Sequence, residues 1–108
     1  MSDFRAIALG MPSAVEQAHF GSPSFRVEGK IFAQLSADGE TGLVKLPPGA
    51  QEWALDTYPE ACTSASHWGK HGWTHLAWRE LPQAIVADFV TSSWRSVAPK
   101  ALLGSLSD

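Results

Sequence analysis

The chain has 108 residues, 44% of them apolar, and its 8 basic against 11 acidic residues leave a formal charge of −3. That is one domain rather than two, large enough to bury roughly 65% of the surface its unfolded chain exposes. The composition fits a globular rather than a disordered chain, no segment approaches the ~18 apolar residues of a membrane span, and the charge argues against strong nonspecific DNA affinity while leaving room for a local cationic patch. Cys62 is the sole cysteine, so no internal disulfide is available, and Met1 to Arg5 lacks the apolar run of a signal peptide. A cytoplasmic, reducing location is the expectation.

In chain order, Ser2 caps a first helix running to about Leu9, with Phe4, Ile7, Ala8 and Met11 on one face before Gly10 and Pro12 stop it. Ala14 to His19 reads as a strand, and Phe20-Gly21-Ser22-Pro23 as turn chemistry. Ser24–Val27 and Lys30–Leu35 then flank Glu28-Gly29. A two-residue hairpin there sets Phe25 opposite Phe32 and Val27 opposite Lys30. Phe25, Val27 and Phe32 then share the core face, and Arg26 stands on the other, near Ile31. Glu28 is a poor first turn residue, which leaves a longer, bulged turn open. Asp38-Gly39 marks the next reversal, and Gly42–Leu46 the next strand, ended by Pro47-Pro48.

A second helix spans about Pro48 to Thr57, with Ala50, Trp53, Ala54 and Thr57 as its inner stripe. Tyr58 to Trp73 has no clear periodicity beyond a short edge strand at Thr63-Ser64-Ala65. Trp73–Trp78 alternates as a strand, with Trp73, His75 and Ala77 on one face and Thr74, Leu76 and Trp78 on the other. Pro82 opens a last helix whose apolar stripe is Ile85, Val86, Phe89, Val90, Trp94 and Val97. It ends before Pro99; Ala101–Leu103 adds a short turn, and Gly104–Asp108 frays. Consecutive hairpins and separate helices predict an α+β fold: an antiparallel sheet of about five strands with helices packed on one face.

Several separated blocks carry a resemblance. Phe20-Gly21-Ser22-Pro23-Ser24-Phe25-Arg26-Val27 followed by Gly29-Lys30-Ile31-Phe32-Ala33 is one, and Trp68-Gly69-Lys70-His71-Gly72-Trp73 is another. Leu46-Pro47-Pro48 and Val97-Ala98-Pro99-Lys100 complete the set. Together they resemble the MmcQ/YjbR family over nearly the whole chain, to Lys100. The resemblance implies a small, bacterial-type CyaY-like α/β domain. It also implies a DNA-binding role, by analogy with a phage "double wing" fold that contacts DNA through its sheet. It brings no catalytic residue set and no cofactor. Iron binding is not implied either, because the first helix offers only Asp3 where acidic clusters would be needed.

The candidate nucleic-acid or ligand residues are Arg26, Lys30, Lys45, Trp68, Lys70, His71 and Trp73, with Lys100 a further cation. Cations on one face meet phosphate, and rings beside them stack on bases. The ordinary alternative is solvated lysines and tryptophans that fasten a long loop to the core. A second reading has the same loop closing a groove between the sheet and the last helix, lined by Trp68, Trp73, His71 and Arg26, for a small ligand or a protein.

His67, His71 and His75 recur every four residues, but Gly69 and Gly72 disfavour the helix that would align them on a metal, so no metal site is expected. Cys62 with His67 or His71 lacks any nucleophile signature, and Ser64 and Ser66 sit in no elbow. The expectation is a monomeric, non-enzymatic binding domain with DNA as the partner the resemblance implies. The alternative is a small-ligand or protein-binding module.

Overall fold

The computed structural model describes residues 4–19, 21–65 and 71–103. The elements are α1 (Phe4–Leu9), β1 (Val15–His19), β2 (Ser22–Val27), β3 (Lys30–Leu35), β4 (Gly42–Lys45) and α2 (Pro48–Thr57). They continue with β5 (Cys62–Ser64), β6 (Trp73–Leu76), a 3-10 turn (Trp78–Glu80), α3 (Gln83–Val97) and α4 (Lys100–Leu103). The strands form one six-stranded antiparallel sheet in the order β1-β2-β3-β4-β6-β5. β6 is inserted between β4 and the short edge strand β5, because α2 carries the chain from the end of β4 to the outside of the sheet.

Ser22 and Pro23 belong to β2 rather than to the preceding turn, since they pair with His19 and Ala18 of β1. The proline is tolerated next to an edge strand, where one missing donor costs little. The β2–β3 reversal is the two-residue turn itself. Glu28 has φ 52° and Gly29 φ 80°, the two positive angles that a mirror-image hairpin turn requires. The two-residue turn is as expected, but the expected pairing of Phe25 with Phe32 is not, because an irregularity lies inside the ladder. Val27 faces Lys30 and Arg26 faces Ile31, but Phe25 faces Ala33. Phe32 is therefore the extra residue of a bulge, not the partner of Phe25, and Phe32 and Ala33 are both fully buried in succession.

All the longer helices lie on one face of the sheet. Val86, Phe89, Val90, Ser93 and Trp94 of α3 are buried against it, joined by Phe4 and Ala8 of α1 and Ala54 of α2. Strand residues Phe25, Val27, Phe32, Ala33, Leu35, Val44 and Leu76 complete the core. The Trp94 indole N–H donates to the Pro12 carbonyl at 3.0 Å, tying α3 to the α1–β1 connection. Trp53, expected on the inner stripe of α2, is 47% exposed. It lies edge-on to Tyr58 and Phe89 at the margin of the core, with ring centroids 5.9 and 6.1 Å away. β6 stops at Leu76, earlier than its alternation suggested. Trp78 falls in the 3-10 turn, and its indole N–H donates to the Gly39 carbonyl of the β3–β4 turn at 2.9 Å.

One hydroxyl enters the sheet from the helical layer. Ser93 Oγ donates to the Phe32 carbonyl at the bulge and accepts the Lys45 backbone N–H at 2.8 Å. It stands where a ladder bond between β3 and β4 would otherwise run. The bulge and this hydroxyl together satisfy backbone groups that the displaced register leaves over.

No helix among the described residues is long and apolar enough to cross a membrane.

Candidate nucleic-acid interface

Among the described residues, no helix covers the side of the sheet away from α1, α2 and α3. Strand alternation decides what it presents. Thr74 and Val44 are fully buried toward the helices, with Thr74 Oγ1 accepting from the α2 side chain Gln51 at 3.1 Å. Their neighbours Trp73, His75, Leu43 and Lys45 therefore face the open side. On β2, alternation from the buried Phe25 and Val27 sets half-buried Arg26 and Ser22 on the open side, with Ser24 between them on that side but fully buried.

Register then builds two rows. The first crosses all six strands: Gln17, Ser24, Gln34, Leu43, His75, Thr63. The second lies toward the β2–β3 turn and contains Arg26, Ile31, Lys45 and Trp73, with Lys45 directly opposite Trp73. Arg26 and Lys45 are two strand spacings apart, about 10 Å, and Trp73 is about 5 Å further. Arg26 Nε–H donates to Ser24 Oγ at 3.3 Å, and that hydroxyl donates to the Gln17 carbonyl at 2.8 Å, which steers the guanidinium along the sheet surface.

The two ends of the sheet differ in charge. The end holding the β2–β3 turn carries Arg26, Lys30 and Lys45, with Glu28 as the acidic residue of the turn. His71 precedes β6 at this same end and is exposed. The opposite end carries Asp38 and Glu40 in the β3–β4 turn, Glu60 before β5 and Glu80 after β6; Arg79 there reaches Glu40 at 3.5 Å. The Ser36 hydroxyl and the Glu40 N–H, both donating to Asp38 Oδ1, hold the Asp38 carboxyl below its ordinary range. A protein with net negative charge thus gathers Arg26 and Lys45 at one end of this face, with Lys30 at the same end on the opposite side of the sheet.

Of the residues picked from sequence, Arg26, Lys45 and Trp73 share this face. Lys30 is exposed at the hairpin end but on the other side of the sheet from Arg26, since it pairs with Val27. His71 stands at the same end, Trp68 and Lys70 lie outside the described residues, and Lys100 begins α4, off the sheet. Arg26 and Trp73 point away from α3, so they do not line a groove between the sheet and the last helix.

Gly72 is fixed by geometry: its φ is +96°, and a Cβ built there would lie 2.1 Å from the Leu46 carbonyl oxygen. His75 is exposed on the open face, and among the described residues no cluster of three or more His, Cys, Asp or Glu could hold a metal. Cys62 is 2% exposed, and burial raises its thiol above the ordinary range, the wrong direction for a nucleophile.

From sequence His75 is weighed only as a metal ligand, and Gln34 and Thr63 are not among the candidate site residues. With Ser22 and Leu43 they line a depression of about 640 Å³ on the open face. The β6 alternation already sets His75 on the face of Trp73, which is the signal that brings it to this surface. Gln34 and Thr63 needed the inter-strand register.

Fold and surface together define a small α+β domain with helices on one face and, among the described residues, an open, charge-polarised sheet on the other. The chain belongs to the YjbR family, whose model matches residues 9–96. It is similar in structure to the crystal structure of the Deinococcus radiodurans protein DR2400, which carries the family-model domain DUF419. The TM-score is 0.79 at 19% identity, over 96% of this chain and 85% of that one. At that identity the likeness concerns the fold. No curated protein sequence matches the chain.

Proposed function

We propose that the protein is a non-enzymatic DNA-binding domain that meets DNA with the uncovered face of its sheet. The observation that supports this is the convergence of Arg26, Lys45 and Trp73 on one end of that face, beside Lys30 on the adjoining hairpin. Cations on this scale neutralise two or three phosphates, and an adjacent indole offers a stacking surface. The net charge of −3 keeps such binding weak and salt-sensitive, in the range of about 10⁻⁴–10⁻⁶ M typical of nonspecific contacts. The two turns that project from β3, at Glu28-Gly29 and around Asp38-Gly39, would act as wings, of which only the first is cationic at its base.

Anisotropy titration of labelled DNA at several salt concentrations tests the reading. Affinity should fall with salt with a slope near −2 to −3, and Lys45→Ala should reduce the slope by roughly one contact. Arg95→Ala, at an exposed site in the last turn of α3, should leave it unchanged. No binding at ~100 μM protein in low salt rejects the proposal, because even nonspecific affinity would register there.

A further inference from the structure

Resting on the DNA-binding reading above, we infer that the open face is built for an unpaired nucleotide strand rather than for duplex. The cationic row and the depression are adjacent but chemically different. Arg26 and Lys45 belong to one row, at the basic end of the sheet. The depression begins one row further on, lined by Ser22, Gln34, Leu43, Thr63 and His75, with Leu35, Ser36 and Thr41 closing it towards the β3–β4 turn. Its lining carries hydroxyl, amide and imidazole groups around two leucines, with no carboxylate among the lining residues; the carboxylate bonded to it is Asp38, which accepts from the Ser36 hydroxyl. Moving along β6 from Trp73 to His75 crosses from the first zone into the second over about 7 Å.

This polarity complements one nucleotide unit. A phosphate needs the cations, and a base needs a neutral floor with hydrogen-bond donors and acceptors and a ring to lie on. Gln34 supplies two donors and an acceptor, Thr63 and Ser22 a hydroxyl each, and His75 a planar ring. Leu43, half-buried between Gln34 and His75, gives the floor an apolar patch against which a base face can rest. In a duplex the bases are stacked and paired, so only their edges are available, and a hollow in a sheet cannot reach their faces. A strand with splayed bases can fill the hollow while its phosphates stay on Arg26 and Lys45.

The test compares a labelled 12-nucleotide single strand of mixed sequence, the matching duplex, and an RNA strand of the same sequence, each with wild type, His75→Ala, Gln34→Leu and Lys45→Ala. His75 and Thr63 are exposed and Gln34 is half-buried, so the fold should tolerate these changes, and melting curves confirm it. The expected result is single-strand binding at least ten-fold tighter than duplex. His75→Ala should weaken single-strand binding by about 5-fold or more, the low end of a lost base–ring contact. It should leave the salt slope and the duplex affinity as they were. Lys45→Ala should weaken all probes together. The DNA and RNA arms identify the sugar the face prefers; tighter binding of either single strand than of duplex meets the inference.

Duplex binding as tight as single-strand binding overturns it, as does indifference to both His75→Ala and Gln34→Leu. In those cases the DNA-binding reading stands if the salt slope and its response to Lys45→Ala persist. Absence of binding to every probe overturns both.

Discussion

Gly72 and Leu46 lie in backbone contact. The Leu46 N–H donates to the Gly72 carbonyl at 2.8 Å, while the Leu46 carbonyl oxygen occupies the place where a side chain on residue 72 would begin. The pair joins the end of β4, just before α2 departs, to the start of β6. It continues the ladder that sets Lys45 opposite Trp73. The candidate interface and the stability of this corner are therefore linked through one close approach.

Replacing Gly72 by alanine should cost about 3 kcal/mol. The positive φ contributes roughly 1–2 kcal/mol, and displacing the Leu46 peptide adds a similar amount. Gly29→Ala is the informative comparison. Gly29 also has positive φ, +80°, but a Cβ there would meet nothing within 4 Å. It should lose only about 1 kcal/mol. Thermal melts should place the Gly72 variant at least about 10 °C below wild type and well below the Gly29 variant. Equal melting temperatures for the two variants would show that the β4–β6 corner yields freely.

Ser93→Ala removes the hydroxyl that serves both the Phe32 carbonyl and the Lys45 N–H. Two buried backbone groups lose their partner at once, so a loss of about 2–4 kcal/mol is expected in urea unfolding. Ser96→Ala, whose exposed hydroxyl only returns to the Ser92 carbonyl of its own helix, should stay within about 0.5 kcal/mol. Because Lys45 sits on the perturbed segment, the proposed DNA-binding role predicts weaker binding by the Ser93 variant at temperatures where it remains folded.

Sequence patterning made most of this fold legible, for identifiable reasons. The α3 stripe from Val86 to Trp94 has helical spacing, and the β6 alternation separates Trp73 and His75 from Thr74 and Leu76; both follow from burial on one face. What stayed hidden was relational. The bulge that sets Phe25 against Ala33 depends on a hydroxyl 61 positions from Phe32, which no local pattern announces. Pro23 reads as a turn residue, yet one missing donor beside an edge strand is affordable. Arg26, Lys45 and Trp73 could each be assigned a strand face from sequence. Their meeting at one end of the sheet depended on β6 being inserted beside β4.

Asp38 gives the domain an acid-sensitive turn. Its carboxylate accepts from the Ser36 hydroxyl at 2.5 Å and the Glu40 N–H at 3.0 Å, which depresses its folded-state pKa below 3.8. A depressed carboxylate contributes stability that is present above its unfolded pKa and lost as pH falls through the folded one. Wild type should therefore exceed Asp38→Asn in stability at pH 6, and the difference should shrink below pH 3.8 as the carboxyl protonates. The effect is small because the group is fully exposed. A stability difference that stays constant from pH 6 to about pH 2.5 would assign the role to the turn's shape instead of its charge.

Gly42 and Phe4 offer a test of how tightly α1 seats on the sheet. A Cβ on Gly42 would lie 2.5 Å from Phe4 Cε2. The Phe4 ring is fully buried and held between Phe25 and Trp78, with centroids 6.3 and 6.5 Å away. A ring so enclosed has little room to retreat, so Gly42→Ala should destabilise by about 1–3 kcal/mol through overpacking. Phe4→Leu alone should also destabilise, because it leaves part of the ring's space empty. The two losses should not add. The alanine methyl fills space that the leucine vacates, so the double variant should be more stable than the sum of the single losses implies, by at least about 0.5–1 kcal/mol. Strict additivity across the cycle, measured by urea unfolding, would mean that α1 shifts as a body to admit the methyl and that the glycine is not required by the ring.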